Sequence, residues 1–212
     1  KGTVVGPDNE TSDDRYGYDV AGRNKEINQL NGQVFFKAGD EIRHKIGVSA
    51  QGGQLYNLDT RDNGTHYALA AHYELYTKGL GIKAQASKYA KFPKNAQGED
   101  RDLITMTAYG APYVVAAKAY MYTLSVGYTF RTKARWLQSI QLYNDFGYLQ
   151  KTNKDFEDIM QNVSGCLLTM GLIFTYIDYV LGKHQAWLVP DWDAFGPGKE
   201  SNSWHARFNV NI

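Results

Sequence analysis

The last nine residues, Trp204–Ile212, alternate without a break. Trp204, Ala206, Phe208, Val210 and Ile212 fall on one face, and His205, Arg207, Asn209 and Asn211 on the other. A period of two belongs to a β-strand with one face in an apolar medium and the other in water. In a soluble sandwich or barrel such apolar faces meet inside, whereas in an outer-membrane barrel they face lipid and the polar set lines a lumen. The alternation recurs upstream. Tyr120, Tyr122, Leu124, Val126, Tyr128 and Phe130 oppose Thr123, Ser125, Gly127, Thr129 and Arg131. Tyr67, Leu69, Ala71, Tyr73 and Leu75 oppose His66, Ala68, Ala70, His72 and Glu74.

Together these signals predict nine strands, over Ile27–Ala38, Ile42–Asn57, Thr65–Lys78, Gly81–Lys91, Lys118–Arg131, Arg135–Lys151, Ile159–Gly171, Leu172–His184 and Ser203–Ile212. Tight turns and longer loops alternate between them, the pattern of an up-and-down antiparallel β-barrel with short turns on the periplasmic side and longer loops outside. The expected fold is therefore all-β, a transmembrane barrel. Residues 1–26 read as an extracellular loop and 27–212 as the C-terminal part of a larger barrel. Nine strands starting from the outside imply an odd number of strands before Lys1.

Residues 92–117 interrupt the rhythm. Leu103–Tyr113 would serve as a tenth strand, but counting sides from both ends agrees only if the whole segment is one long outer loop. With Leu103, Met106, Tyr109, Pro112 and Tyr113 it is too apolar to stand in solvent, and long ordered loops tend to be functional. It is expected to fold into the barrel mouth and form a constriction, with Arg101, Asp102, Tyr109 and Tyr113 as candidate residues. An extra hairpin or a short helix packed on the rim is the alternative.

Composition narrows the choice. Lys+Arg 23 against Asp+Glu 22 gives no basic footprint for nucleic acid. No run approaches the roughly 18 apolar residues of a membrane helix, and the mean hydropathy of −0.48 suits strands of which only alternate residues face lipid. Sixteen Tyr, nine Phe and four Trp would supply interfacial aromatic girdles. The single cysteine, Cys166, leaves no internal disulfide and no thiolate cluster. The opening Lys1–Pro7 lacks the apolar stretch of a signal peptide.

With the strands placed, Gln51–Asn57, Tyr109–Tyr113, Leu142–Tyr148, Gln161–Gly165, Tyr176–Lys183 and Arg207–Ile212 together resemble, in that order, the C-terminal half of proteobacterial outer-membrane porins, a set loosely grouped with the phosphate-selective porins. The likeness runs from about Tyr16 onward. Such porins finish with a terminal aromatic residue, where this chain has Ile212. The resemblance implies passive solute diffusion in the outer membrane of a Gram-negative bacterium, by a homotrimer in contact with lipid and lipopolysaccharide. It does not imply phosphate selectivity.

The polar faces assign Lys37, Arg43, Lys45, Lys83, Arg131 and Arg207 to the lumen against Glu74, Asp145 and Asp178, with His66, His72, His184 and His205 beside them. Rings of like charge set ion preference in a confined aqueous channel, so this count predicts a mild anion preference, with Arg43, Lys45 and Lys83 as a basic ladder. Cross-strand pairing of the same charges is the alternative. Acidic residues such as Asp8, Glu10, Asp191 and Asp193 collect in the loops, at no calcium-loop spacing. Enzyme signatures are missing: there is no Gly-x-Ser-x-Gly, His-Glu-x-x-His or phosphate-binding glycine loop, and Ser203 with His205 is the nearest nucleophile–base pair. His66 and His72 stand about 20 Å apart along a strand, too far for one metal. No enzyme activity, cofactor or metal is expected. A soluble all-β ligand-binding barrel and an outer-membrane β-barrel enzyme remain the rival readings.

Overall fold

The computed structural model describes residues 4–5, 11–12, 24–57, 59–108, 111–186, 188, 192–199 and 204–212. It is all-β and antiparallel. A two-residue bridge joins β1 (Val4–Val5) to β2 (Thr11–Ser12). The main sheet has nine strands: β3 (Asn24–Ala38), β4 (Arg43–Asn57), β5 (Asn63–Thr77), β6 (Leu80–Phe92), β9 (Lys118–Arg131), β10 (Ser139–Lys151), β11 (Ile159–Met170), β12 (Ile173–Lys183) and β13 (Trp204–Asn211). A separate hairpin, β7 (Leu103–Ala108) with β8 (Ala111–Ala116), lies between β6 and β9, and a 3-10 turn, Trp192–Phe195, precedes β13.

Each strand of the large sheet pairs with the next in sequence, except that β6 pairs directly with β9. Residues 93–117 therefore stand outside the meander, and they contain a hairpin, the alternative to the single long loop expected there. The sheet is open: β3 and β13 are its edges. Two boundaries differ from the sequence reading by three residues or more, the others by at most two. β3 starts at Asn24, not Ile27, because Asn24–Ile27 pair with Asn57–Gln54. β10 starts at Ser139, not Arg135: residues 132–138 form the turn, closed by Thr132 N–H on the Gln138 carbonyl at 3.0 Å.

The register shows why this sequence makes a wall. On one side, row after row is apolar, for example Ile46–Tyr73–Ala84–Leu124–Phe146 and Leu80–Tyr128–Leu142–Cys166–Ile177–Val210. The other side carries most of the charges and amides. At β3 the phase is reset by a bulge between Ile27 and Leu30, where Asn28 takes a positive φ of 51° that asparagine tolerates better than most residues. The extra residue returns Glu26 to the polar side, where it pairs with Lys91 at 2.9 Å. Tight turns link the hairpins; in Lys78–Gly79 both residues have φ > 0, the handedness that matches strand twist.

The rows also drift relative to the turns. His44 lies one residue from the turn end of β4, while Ser164, on the same row, lies six from the turn end of β11. That is about one residue per strand, or a strand tilt of roughly 35° for strands 4.8 Å apart.

Packing is uneven. Apolar side chains such as Val34, Phe36, Ile46, Val48, Leu124, Tyr128, Phe208 and Val210 are exposed along the sheet, whereas the buried apolar residues Leu55, Ala90, Ile104, Ala116, Ala117, Ala119, Ile159, Ala186 and Ala194 gather at the loop end. There Asn24, Asn57 and Asn95 form a buried amide cluster, with Asn24 Nδ2 donating to Asn95 Oδ1 at 2.7 Å. Lys151, only 5% exposed, donates through Nζ to the carbonyls of Ala194 and Gly196 at 2.7 and 2.5 Å, tying the 3-10 turn to β10. Lys151→Met keeps the stem and removes both bonds. It is expected to cost roughly 2–4 kcal/mol locally and to open residues 184–199 to protease; an unchanged digestion pattern would show that the lysine does not hold this loop.

Candidate functional site: the polar face of the sheet

All nine residues assigned to the lumen from sequence fall on one face. A single row reads Lys37–Lys45–Glu74–Lys83–Ser125–Asp145–Val163–Val180–Arg207, and the next Arg43–Tyr76–Gly81–Gly127–Tyr143–Gly165–Asp178–Asn209. Arg131 shares this face at the turn end of β9, exposed.

The residues are not spread evenly. Lys37, Arg43, Lys45 and Lys83 cluster on β3, β4 and β6 around one carboxylate. Lys45 Nζ bonds Glu74 Oε1 at 2.8 Å, and Tyr76 donates to Glu74 Oε2 at 3.2 Å. Phe35 breaks the face's polar character to hold two of these cations: Lys37 and Lys45 stand 5.2 and 5.3 Å from its ring centroid, and Arg43 lies 5.7 Å from the Tyr76 ring. These are favourable cation–π distances. The alternation-based reading missed Phe35, although its spacing of two from Lys37 puts the pair in phase. The basic ladder is thus partly neutralised by Glu74, and its net charge remains positive.

Farther along the same rows the sign changes. Asp145 lies on β10, and Asp178 on β12 accepts a hydrogen bond from Tyr143 across Gly165. A side chain at Gly165 would collide with both the Tyr143 ring and the Asp178 carboxylate, so only glycine permits that bridge. Arg207 is drawn out of the rows, donating from Nη2 to the Leu188 carbonyl at 3.2 Å.

On the loop side of the basic cluster lies an uncharged recess of about 630 Å³ lined by Gln33, Ser49, Gln51, Gln85 and Ser87 with Ala68 and Ala70. His72 borders it, its Nε2 3.4 Å from Gln33 Nε2. His66 is on the same face and buried. His184 is 1% exposed, beyond β12, with Nε2 3.6 Å from Glu157. Among the described residues, no group of three His, Cys, Asp or Glu is arranged to hold a metal.

The loop-side end of the polar face is roofed by the β7–β8 hairpin and the 3-10 turn. Tyr89 donates to the Ala116 carbonyl at 3.0 Å, Lys91 N–H to the Ala117 carbonyl at 2.9 Å, and Ala117 N–H to the Asp102 carbonyl at 2.7 Å. Of the candidate constriction residues, Arg101 is exposed, and Asp102 accepts from Asn153 at 3.1 Å with Lys118 Nζ at 3.9 Å. Tyr109 lies outside the described residues, as does the side chain of Tyr113, whose backbone belongs to β8.

No protein family, characterised protein or solved structure matches this chain. Ser203, half of the nearest catalytic pair in the sequence, also lies outside the described residues. What the arrangement offers chemically is a charged and hydrogen-bonding surface along which a hydrated solute could be passed. No helix among the described residues is long and apolar enough to cross a membrane, which leaves crossing by strands open.

Proposed function

We propose that this sheet is part of the wall of an outer-membrane β-barrel that passes small hydrophilic solutes passively, with a mild preference for anions. The observation that carries this reading is the separation of the two faces. The nine meander strands place their described carboxylates and all of their described Lys and Arg side chains but Lys88, Lys118 and Lys183 on one side, and leave Val, Leu, Ile, Phe and Tyr exposed on the other. Water does not tolerate an apolar face of that extent on a single sheet, whereas lipid does. The stagger of about one residue per strand is close to the 35–45° tilt that membrane barrels adopt.

In this reading the basic cluster attracts anions, the carboxamides and hydroxyls of the recess replace part of a solute's hydration shell, and the β7–β8 hairpin narrows the loop-side mouth. A soluble ligand-binding barrel would have to bury the same apolar face, on which Tyr122, Tyr128 and Tyr179 are exposed. A barrel enzyme would need a nucleophile beside a base on the polar face.

A cluster of polar side chains lies on the apolar side, on β10 and β11. At mid-height Asn144 donates to Asn162 Oδ1 and Ser164 Oγ, both at 2.9 Å, and Asn162 returns a bond at 3.1 Å. Polar side chains facing hydrocarbon act as contacts between subunits, so β10–β11 is the surface through which a homotrimer would associate.

The test is single-channel current of the purified protein in a planar bilayer, with asymmetric potassium chloride. Ohmic steps, an anion-favouring reversal potential and closure in three equal sub-levels are expected. A silent bilayer, from protein shown to be inserted, would sink the open-pore reading.

A further inference from the structure

We infer that the loop-side rim of the apolar face binds a lipid with an anionic phosphate headgroup, its phosphate against Lys88 and an acyl chain in the neighbouring trough. The inference rests on the membrane reading above and adds a specific site to it.

Three observations meet there. First, the charge on the apolar face is of one sign and at one end. Among the strand residues whose side chains are described there, none is Asp or Glu; the charged ones are Lys88, Lys118 and Lys183, respectively four residues from the loop end of β6, the first residue of β9 and the last of β12. At a tilt of about 35°, Lys88 stands about 22 Å above the turn end of β6, close to the edge of an apolar band about 25 Å tall. That is the depth of lipid phosphates.

Second, the ammonium of Lys88 has no carboxylate within ion-pair reach among the described residues. It is held between two rings, 5.1 Å from the centroid of Tyr120 and 6.0 Å from that of Tyr67. A cation braced by phenols, with no protein carboxylate beside it and at the depth of lipid phosphates, is a phosphate receptor. Lys118 stands on the adjacent row, 5.0 Å from the Phe92 ring.

Third, the row of Lys88 and the one below it, Gly32–Ala50–Leu69–Lys88–Tyr120 and Val34–Val48–Ala71–Ala86–Tyr122, are unusually small in side-chain volume on β3 to β6. They leave a largely apolar trough of about 1200 Å³ whose lining includes Leu30, Val48, Leu69, Ala71, Lys88 and Tyr120. A free inorganic anion has no use for that trough. A lipid chain attached to the phosphate fills it.

The experiment uses the purified protein reconstituted into vesicles of phosphatidylcholine alone or mixed with phosphatidylglycerol. Insertion is scored by flotation after a urea wash, and retained lipid by native mass spectrometry after detergent extraction. Wild-type and Lys88→Arg protein are expected to retain phosphatidylglycerol in preference to phosphatidylcholine, and Lys88→Met to bind it about fivefold more weakly. Insertion into both vesicles, with phosphatidylcholine held as well as phosphatidylglycerol or Lys88→Met equal to wild type, overturns the lipid site and leaves the membrane reading standing. Displacement of the lipid by inorganic phosphate alone overturns the acyl-chain component and with it the proposal. Failure to insert into either vesicle overturns both readings.

Discussion

Replacing Lys37, Lys45 and Lys83 by glutamate is expected to reverse the sign of the reversal potential, turning an anion-favouring channel into a cation-favouring one. With Arg43 and Glu74 these residues make a cluster of net charge three positive; the triple substitution makes it three negative. A unit charge acting on an ion at 4 Å in water is worth about 1 kcal/mol, and the screening length at physiological salt is about 8 Å. Three reversals within that range should change the permeability ratio by at least roughly tenfold, more at low salt. Lys45 alone is a weak lever because Glu74 already opposes it at 2.8 Å. Reversal potentials of the triple variant that match the wild type would show that the permeating ion does not pass this cluster.

The second large effect is expected at Ile104, which is 2% exposed in β7. Ile104→Asp removes a buried apolar side chain and puts a carboxylate in its place. Loss of the packing alone costs roughly 2–5 kcal/mol, and the unpaired charge adds to it. The β7–β8 hairpin makes no ladder with the nine-stranded sheet and depends on this packing and on a few bonds such as Tyr89 to Ala116. It should therefore detach while the sheet persists. Protease is expected to cut within 97–116, and each conductance step to rise. Cleavage without a change in conductance would mean that the hairpin does not narrow the path; resistance to protease would mean that its docking does not depend on Ile104.

Strand positions were legible because the period-two signal is local: it needs only a sequence window such as Tyr120–Arg131 and no knowledge of neighbours. The direct pairing of β6 with β9 agrees with a count of turns, since antiparallel hairpins alternate sides, but the hairpin within 93–117 was the alternative and not the expectation. The strand start at Arg135 failed for a local reason, an apolar Trp136 and Leu137 that serve the turn and not the ladder. In β11 the run Cys166–Leu168 puts apolar groups on both faces, so the side taken by Asn162 and Ser164, and their bonds to Asn144, followed only from the register.

The sequence by itself determined that the chain is a strand meander, which residues share a face within each strand, and that Lys37, Arg43, Lys45, Glu74, Lys83, Asp145 and Asp178 sit on the polar one. The tertiary structure decided which of those groups meet. Register between strands depends on turn lengths and on the β3 bulge, and a shift of one residue exchanges the faces. Only that register sets Lys45 and Lys83 on either side of Glu74, Phe35 beneath two lysines, Asp178 across Gly165 from Tyr143, and Lys88 between two tyrosines at the rim of a trough. These are contacts between residues far apart in the chain, and pairing geometry, not composition, brings them together.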